Sequence, residues 1–386
     1  MTDITIIRNN INDIDEQILQ LLAKRKQQCL AVADFKYRNA LPIKDSNREN
    51  EHLLELINKG QTLGLSSQLI DNIYDEIFSD SVALQMAHLQ TLINTNGNYK
   101  RKIKVAFLGI AGTYSYLATY KFFHDISDHI IERNCNSFQE ILCAVENNEV
   151  DCALMPIENT SSGCINEVYD LLQDTTAKII GELTYPIEHC ILAAKDTDQS
   201  KIKKVFAHPQ PLSQCSNWLH DNLPNAELIP CSSSSEAMQK IQELANEESV
   251  AIGCEESGKL YNEFAIYRNI ANQKNNITRF IVISTNAVSV PSNVEAKTSI
   301  TFTTENKPGA LVKVLKLFSE NNINMVKLQS RPRSPHAKNN CIWAETFYMD
   351  IIANADSALM HKVIRELKTV TGEIKILGCY PVEFSK

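Results

Sequence analysis

Two cations stand where a helix should be apolar. Residues 4–36 carry one stripe of Ile4, Ile7, Ile11, Ile14, Ile18, Leu21, Leu22, Cys29 and Val32, at three- and four-residue steps. Phased at about 100° per residue, Arg25 and Lys36 fall near the stripe's centre, three turns apart on one face, and Arg8 lies on its edge. In a later helical run Ser81 shares the face of Ile70, Ile77, Leu84 and His88, with Gln85 on its flank. A buried cation without a partner is heavily penalised, so acids of neighbouring helices or a small anion must meet these charges. Taken singly, Arg and Lys snorkel, and Ser or Gln on an apolar face satisfies backbone groups. Two cations and two neutral donors facing inward together suggest a polyanionic ligand held between helices.

A second polar set is Pro156-Ile157-Glu158-Asn159-Thr160-Ser161-Ser162-Gly163, which follows an apolar run at Cys152–Met155. It reads as a strand-to-helix junction, where exposed N–H groups and a helix N-terminus favour an anion. Taken alone, the pattern favours a capped turn. Asn276-Ile277-Thr278-Arg279-Phe280 leads into another apolar strand, and His208-Pro209-Gln210-Pro211 with Gln214-Cys215 adds a third group. Near the end, Gly309-Ala310-Leu311-Val312 opens a helix and Gln329-Ser330-Arg331-Pro332 closes a strand; a glycine at a helix start is explained by turn geometry alone.

The elements that must position these groups fall into three blocks. The first is all-helical. Its opening helix is on the order of 50 Å long, which outruns a small domain and calls for partner helices, including those of another subunit. Ser46-Asn47-Arg48-Glu49 is a capping-box pattern for a second helix, with Gly60 placed to stop it, and a third spans Ser67 to Leu92. After the polar linker at 94–98, strands are expected at Lys104–Leu108, Cys152–Met155, Ile191–Ala194, Val205–Ala207, Glu227–Ile229, Val250–Gly253 and Phe280–Ile283. Helices separate most of them, two opened by the capping boxes Ser137–Glu140 and Ser233–Glu236. This alternation predicts α/β architecture with mainly parallel sheets, in one sheet or two lobes. From Lys297 the order becomes βαββαβ, the ferredoxin-like arrangement.

A chain of 386 residues holds several domains, and 44% hydrophobic with 22% charged residues suits buried cores. The net charge of −8 argues against a general binder of nucleic acid or anionic membrane. No apolar run of about 18 residues exists, and the N-terminus lacks the pattern of a secretory signal. Eleven cysteines, none in C-x-x-C spacing, read as reduced thiols of a cytoplasmic protein rather than a zinc ribbon or redox motif.

Arg8, Arg25, Lys36, Asp45, Arg48, Glu49, Ser81 and Gln85, at these spacings, resemble the helical mutase domain of bifunctional chorismate mutase–prephenate dehydratases. The P-I-E-N-T-S-S-G and T-R-F strings resemble the dehydratase, and the G-A-L-V and Q-S-R-P segments an ACT regulatory domain. The resemblance implies an all-α domain at 1–94, a two-lobed α/β domain like a periplasmic solute-binding fold at 103–284, and an α+β ferredoxin-like ACT domain at 297–386. It implies an intertwined dimer or larger homo-oligomer in which Arg8 reaches the partner's site. Arg8 and Arg25 would grip the carboxylates of chorismate, Lys36 and Gln85 would face its ether oxygen, and Glu49 would take its hydroxyl. Asp45, Arg48 and Ser81 complete that binding set.

In the dehydratase, Thr278 would hydrogen-bond the departing hydroxyl of prephenate, with Glu158 and Asn159 as further catalytic candidates. Gln214 would bind substrate, and Arg279 would neutralise a carboxylate or orient the strand. Gly309–Val312 and Gln329–Pro332 would bind phenylalanine as a feedback inhibitor, with Gln329 where the family usually has Glu. The segment Arg331–Asn340 looks longer than usual. Neither reaction implies a metal or organic cofactor. Tyr116 and Ala207 replace a usual His and Ser, so a chain with only the mutase centre alive is a rival reading. A ligand-binding regulator without turnover is another, though it has no need of the cationic helical stripe.

Overall fold

The computed structural model describes residues 4–39, 46–95, 102–292, 294–333 and 345–382. Asp45, most of the 94–98 linker and most of the Arg331–Asn340 segment lie outside the described residues. The three helices of the first block belong to one compact unit, and the two following blocks, up to Tyr380, to a second.

In the first unit, α1 (Ile4–Arg38), α2 (Ser46–Thr62) and α3 (Ser67–Thr95) realise the three predicted helices. Both α1 and α2 pack on α3. The core is small: Leu89 and Leu92 of α3 are buried, with Tyr37 and Val82 against them. Most of the α1 stripe is bare. Ile11 is 51% exposed and Leu21 63%, and Ala33 is the one buried residue of the helix. An exposed apolar face of that length is of the kind that marks an interaction surface. Gly60 does not stop α2, which runs on to Thr62 and turns at Gly64, where φ is +80°. The reason for glycine at 60 is close approach: a Cβ there would sit 2.0 Å from Ile70 Cδ1.

In the second unit the chain forms β1 (Ile103–Leu108), β2 (Ile130–Cys135), β3 (Cys152–Asn159), β4 (Gly163–Cys164) and β5 (Lys178–Pro186). Then come β6 (Cys190–Ala193), β7 (Lys204–Ala207), β8 (Glu227–Pro230), β9 (Ser249–Gly253) and β10 (Phe264–Tyr267), followed by β11 (Ile277–Ser284). The helices between them are α4 (Tyr114–Phe122), α5 (Phe138–Glu146), α6 (Asn166–Asp174), α7 (Pro209–Gln214), α8 (Ser216–Asn222), α9 (Ser234–Leu244) and α10 (Glu255–Leu260). Two of the predicted caps form: Ser137 Oγ accepts from Glu140 N at 3.1 Å and Ser233 Oγ from Glu236 N at 3.0 Å, while each glutamate reaches back to the N–H before the cap, that of Asn136 or Ser232.

The strands make two lobes. One sheet has the order β2-β1-β3-β11-β5, with β4 beside β3; the other runs β10-β6-β9-β7-β8. The expectation of mainly parallel sheets needs correction. Strands β1, β2 and β3 pair in parallel, as do β7, β8 and β9, but β11 returns from the second lobe antiparallel to both β3 and β5. Its return after two lobes is what brings residues near 278 beside those near 159.

The third block has strands β12 (Ala296–Thr303), β13 (Asn324–Pro332), β14 (Glu345–Ile352) and β15 (Ile374–Pro381), with α11 (Ala310–Glu320) and α12 (Ala358–Val370), in βαββαβ order. One face of its sheet packs Ile300, Phe302 and Met349 under the helices through Val314, Phe318 and Val363. The other face presents Tyr348, Leu377 and Tyr380 to the first lobe, where they join Ile157 and Ile281 in one core. No described helix is long and apolar enough to cross a membrane.

Candidate active sites

In the helical unit the structure brings Arg25, Ser81 and Gln85 together. The half-buried Arg25 guanidinium donates to Ser81 Oγ and, at 3.5 Å, to Ile77 O, and it lies 5.7 Å from the Phe78 ring centre. Gln85 donates through Nε2 to Ser81 O at 3.1 Å, while its buried Oε1 has no hydrogen-bond partner among the described residues. His88 and Asp34 meet at 2.9 Å. Contacts of 25 with 77–81 and of 34 with 88 mean that α1 and α3 run parallel. Gln85 therefore lies between the levels of Arg25 and the half-buried Lys36.

Arg8 is exposed and stands apart. It precedes Arg25 by 17 residues, about 25 Å along the helix axis, beyond side-chain reach. On α2, Arg48 is exposed and Glu49 half-buried; Asp45 lies outside the described residues.

In the two-lobed block a cleft of about 920 Å³ lies between the lobes. Asn159 and Thr278, paired across β3 and β11, line it, as do Ser162, His208, Gln210 and Gln214. The Asn159 amide nitrogen donates to Thr278 Oγ1 at 2.9 Å and to Asn276 Oδ1 at 2.6 Å. Its oxygen accepts the backbone N–H groups of Ser161 and Ser162, both at 2.9 Å. Gln210 Nε2 reaches Ser162 Oγ at 3.3 Å from the opposite lobe.

Parallel β–α units place helix N-termini at the carboxyl ends of their strands, where open α/β sheets bind ligands. Here the starts of α4, α5, α7 and α9 converge on the cleft through Thr113–Ser115, Asn136, His208 and Ser232–Ser234. No lysine or arginine is among its described lining residues. One carboxylate, Glu236, is among them, and the donors for an anion are helix ends and hydroxyls.

Three placements differ from the sequence expectation. Pro156–Asn159 is strand rather than a junction into a helix; Thr160–Ser162 turns into β4, and α6 opens only at Asn166. Glu158 and Arg279, expected in the site beside Asn159 and Thr278, do not line the cleft. Alternation on β11 turns Arg279 to the sheet's other face. On β3 a register shift between the Arg279–Glu158 and Phe280–Pro156 pairs marks a bulge at Ile157. The bulge leaves Pro156 and Asn159 on the cleft and sends both Ile157 and Glu158 toward the third block. Tyr116 and Ala207 also lie outside the cleft lining. Tyr116 stacks on Tyr120 with ring centres 4.6 Å apart, and Ala207 is fully buried.

His189 is the principal cleft residue that the sequence reading missed. It is 1% exposed, its Nε2 lies 2.8 Å from Gln214 Oε1, and its Nδ1 lies 3.3 Å from the Tyr114 hydroxyl. Burial pushes its pKa down, with the Gln214 contact acting the other way. It sits where the chain crosses from β5 to β6, and nothing in its local sequence marks it. The turn before α4 docks on the second lobe: Ser257 Oγ and Tyr261 OH donate to Gly112 O and Ala111 O at 2.6 and 2.8 Å. Gly112 has φ +86°, and a Cβ there would meet Tyr261 Cε2 at 2.8 Å.

In the third block Gly309 precedes α11, and Val312 is 63% exposed. The second predicted regulatory segment is divided. Gln329 Oε1 accepts from Cys164 Sγ at 3.4 Å, Arg331 forms a two-point bond to Asp170 at 2.8 and 2.7 Å, and Pro332 O accepts from Gln173 at 3.0 Å. Ser330 points to solvent.

The family model for chorismate mutase type II matches residues 7–86, that for prephenate dehydratase residues 105–288, and that for the ACT domain residues 298–372. The bifunctional chorismate mutase/prephenate dehydratase of Enterobacter agglomerans is 40% identical over 98% of this chain and 95% of its own length. That of Escherichia coli (strain K12) is 39% identical over 98% and 96%. Among solved structures, the prephenate dehydratase of Staphylococcus aureus subsp. aureus Mu50 superposes with a TM-score of 0.61 at 27% identity, covering 72% of this chain and all of that one. The L-Phe complex of prephenate dehydratase from Arthrobacter aurescens gives 0.64 at 24% identity, covering 73% and 90%. The chain belongs to the family of bifunctional chorismate mutase/prephenate dehydratases.

Proposed function

We propose that the Thr278–Asn159 pair, facing a cleft ringed by helix N-termini, is the dehydratase centre. Prephenate is a dicarboxylate that loses carbon dioxide and hydroxide to become phenylpyruvate. Because Asn159 donates to Thr278 Oγ1, the hydroxyl's own hydrogen is left for the cleft. It hydrogen-bonds the departing hydroxyl, where charge develops. The carboxylates lie toward the helix starts at Thr113, His208 and Ser233, and Phe138 and Phe280 supply the apolar wall for a ring that turns aromatic.

The mutase step is intramolecular and needs no nucleophile, so confinement and charge stabilisation suffice. Arg25 holds a carboxylate, with Lys36 and Gln85 at the ether oxygen. A second copy of this chain covers the bare α1 stripe and supplies its Arg8, which cannot reach the site of its own helix. The third block senses phenylalanine, a reading supported by the L-Phe bound to the Arthrobacter relative. The ten free cysteines among the described residues suit a reducing, cytoplasmic setting.

The carrying observation is the Asn159–Thr278 bond within that cleft. The test gives the purified chain chorismate and follows chorismate loss and phenylpyruvate formation, with and without phenylalanine. Both signals are expected, with suppression by phenylalanine. Accumulation of prephenate would overturn the dehydratase reading, and absence of chorismate loss the mutase reading.

A further inference from the structure

Behind the dehydratase pair, on the other face of the same two strands, lies a buried ionic cluster. Arg279 bonds Glu158 of β3 at 3.0 Å, Glu182 of β5 at 2.7 Å and Asp350 of β14 at 2.7 Å. Lys327 of β13 pairs with Glu158, and Lys297 of β12 with Glu182 at 2.5 Å. Tyr380 of β15 accepts from Arg279 at 3.1 Å. Three bases meet three acids, so the cluster is neutral. Each strand of the ACT sheet contributes to it, β12 through both Lys297 and Ser299.

The position of this cluster sets what it can do. Arg279 is the chain neighbour of Thr278, and Glu158 of Asn159. The β3 bulge interrupts the ladder at Ile157, and Pro156 has no N–H to give. The ladder resumes beyond the bulge, where Asn159 pairs with Thr278 and with Gly163, and the side chain of the adjoining Glu158 is gripped by Lys327 and Arg279. A matching bulge on β13, between Met325 and Lys327, turns Lys327 toward the dehydratase while Met325 stays under the ACT helices. Lys327 Nζ also lies 3.3 Å from Cys164 Sγ, and Cys164 lines the cleft. Burial would raise the Glu158 carboxyl, but Lys327 and Arg279 more than offset it and hold it below the usual carboxylate range.

We propose that Lys327 is a positioning residue of the dehydratase: through Glu158 and Arg279 it sets the placement of Asn159 and Thr278, and so joins the ACT sheet to the reaction. This rests on the assignment of that pair as the dehydratase centre. Among the described residues Lys327 bonds Glu158, behind the cleft, and one cleft-lining group, the Cys164 thiol, so its loss should act on turnover rather than on substrate binding.

The test uses the full chain with prephenate as substrate. Lys327→Met is expected to lower kcat by roughly ten-fold to 100-fold, as small misplacements do, with KM within about three-fold of the parent. Lys327→Arg should recover most of the loss. If the excess of one acid in the cluster prevents Lys327→Met from folding, Lys327→Met with Glu158→Gln restores neutrality, and its kcat should stay low. A kcat within about two-fold of the parent in either chain overturns the proposal. So does a loss confined to KM, or a Lys327→Arg chain no better than Lys327→Met. Thr278→Val separates the two readings: if it leaves turnover intact, the assigned centre is wrong, whereas failure of the lysine variants alone leaves that centre standing.

Discussion

Thr278 Oγ1 and Asn159 Nδ2 lie 2.9 Å apart, although 119 residues of chain separate them. The amide cannot be turned round. Its oxygen already accepts two backbone N–H groups, from Ser161 and Ser162, so its nitrogen must face the hydroxyl. A threonine hydroxyl that accepts from an amide keeps one hydrogen of its own to give. The sheet thus delivers a donor with a fixed direction, and a weakly acidic group serves as a hydrogen-bond donor without having to become an acid.

Thr278→Val keeps the shape and removes that donor. We expect dehydratase kcat to fall by about 10²- to 10³-fold, the usual loss for a preorganised donor at a developing charge. Thr278→Ser should stay within about ten-fold of the parent, because the hydroxyl remains. Mutase turnover, measured on the same preparations, should not change. Equal losses for Val and Ser would point to packing rather than hydrogen bonding.

The mutase prediction concerns Lys36. Arg25 already bonds Ser81 and the Ile77 carbonyl, and it holds five N–H donors in all, so it can orient on α3 and still grip a carboxylate. Under the proposed mutase reading, Lys36 stabilises negative charge on the breaking ether bond. Lys36→Ala should lower mutase kcat by at least about 10²-fold, with prephenate turnover at the parental rate. An unchanged mutase rate would remove Lys36 from the site.

Self-association is the third prediction. Ile14 is 55% exposed on a stripe that includes Ile11 at 51% and Ile18 at 50%. An aspartate in the middle of that stripe would bury an unpaired charge in any helix–helix seam. Ile14→Asp should shift the chain to a smaller species in sedimentation and abolish mutase turnover, because Arg8 then has no second site to enter. Dehydratase turnover should survive at that smaller size or fall far less. A parental sedimentation profile would show that this stripe is covered some other way.

What could be read from sequence followed period and misplaced charge. Arg25 and Lys36 stood out because a 3.6-residue pattern says which face is apolar, and the cations lie on that face. The same test applied to strands would have marked Glu182 in Ile-Ile-Gly-Glu-Leu and Asp350 in Met-Asp-Ile-Ile, both buried acids within apolar runs. Glu158 and Arg279 enter the candidate site through the family resemblance, Arg279 with strand orientation as its other reading, and the resemblance does not say which face they take. A strand reverses face at every residue, and the bulge at Ile157 shifts that alternation by one. No single sequence announces a bulge of this kind. His189 was invisible for a different reason: its partners, Tyr114 and Gln214, come from elements joined only in three dimensions.

Glu263 carries the last prediction, on pH. It is 4% exposed, just ahead of β10 in the second lobe, and neither carboxyl oxygen has a hydrogen-bond partner among the described residues. Burial pushes its pKa from 4.5 up to about 8. A carboxyl that is protonated when folded and ionised when unfolded takes up a proton on folding at every pH between those values. The unfolded state then binds fewer protons, so stability falls as pH rises through this window and levels off above it. At 1.36 kcal/mol per unit the full span is on the order of 5 kcal/mol. Glu263→Gln is neutral throughout and should lose this slope. Urea unfolding of the second lobe, followed through Trp218 in a Trp343→Phe background, should show the variant gaining about 2 to 3 kcal/mol over its parent between pH of about 5.5 and about 7.5. Parallel pH profiles would mean that Glu263 is ionised and solvated in the folded lobe.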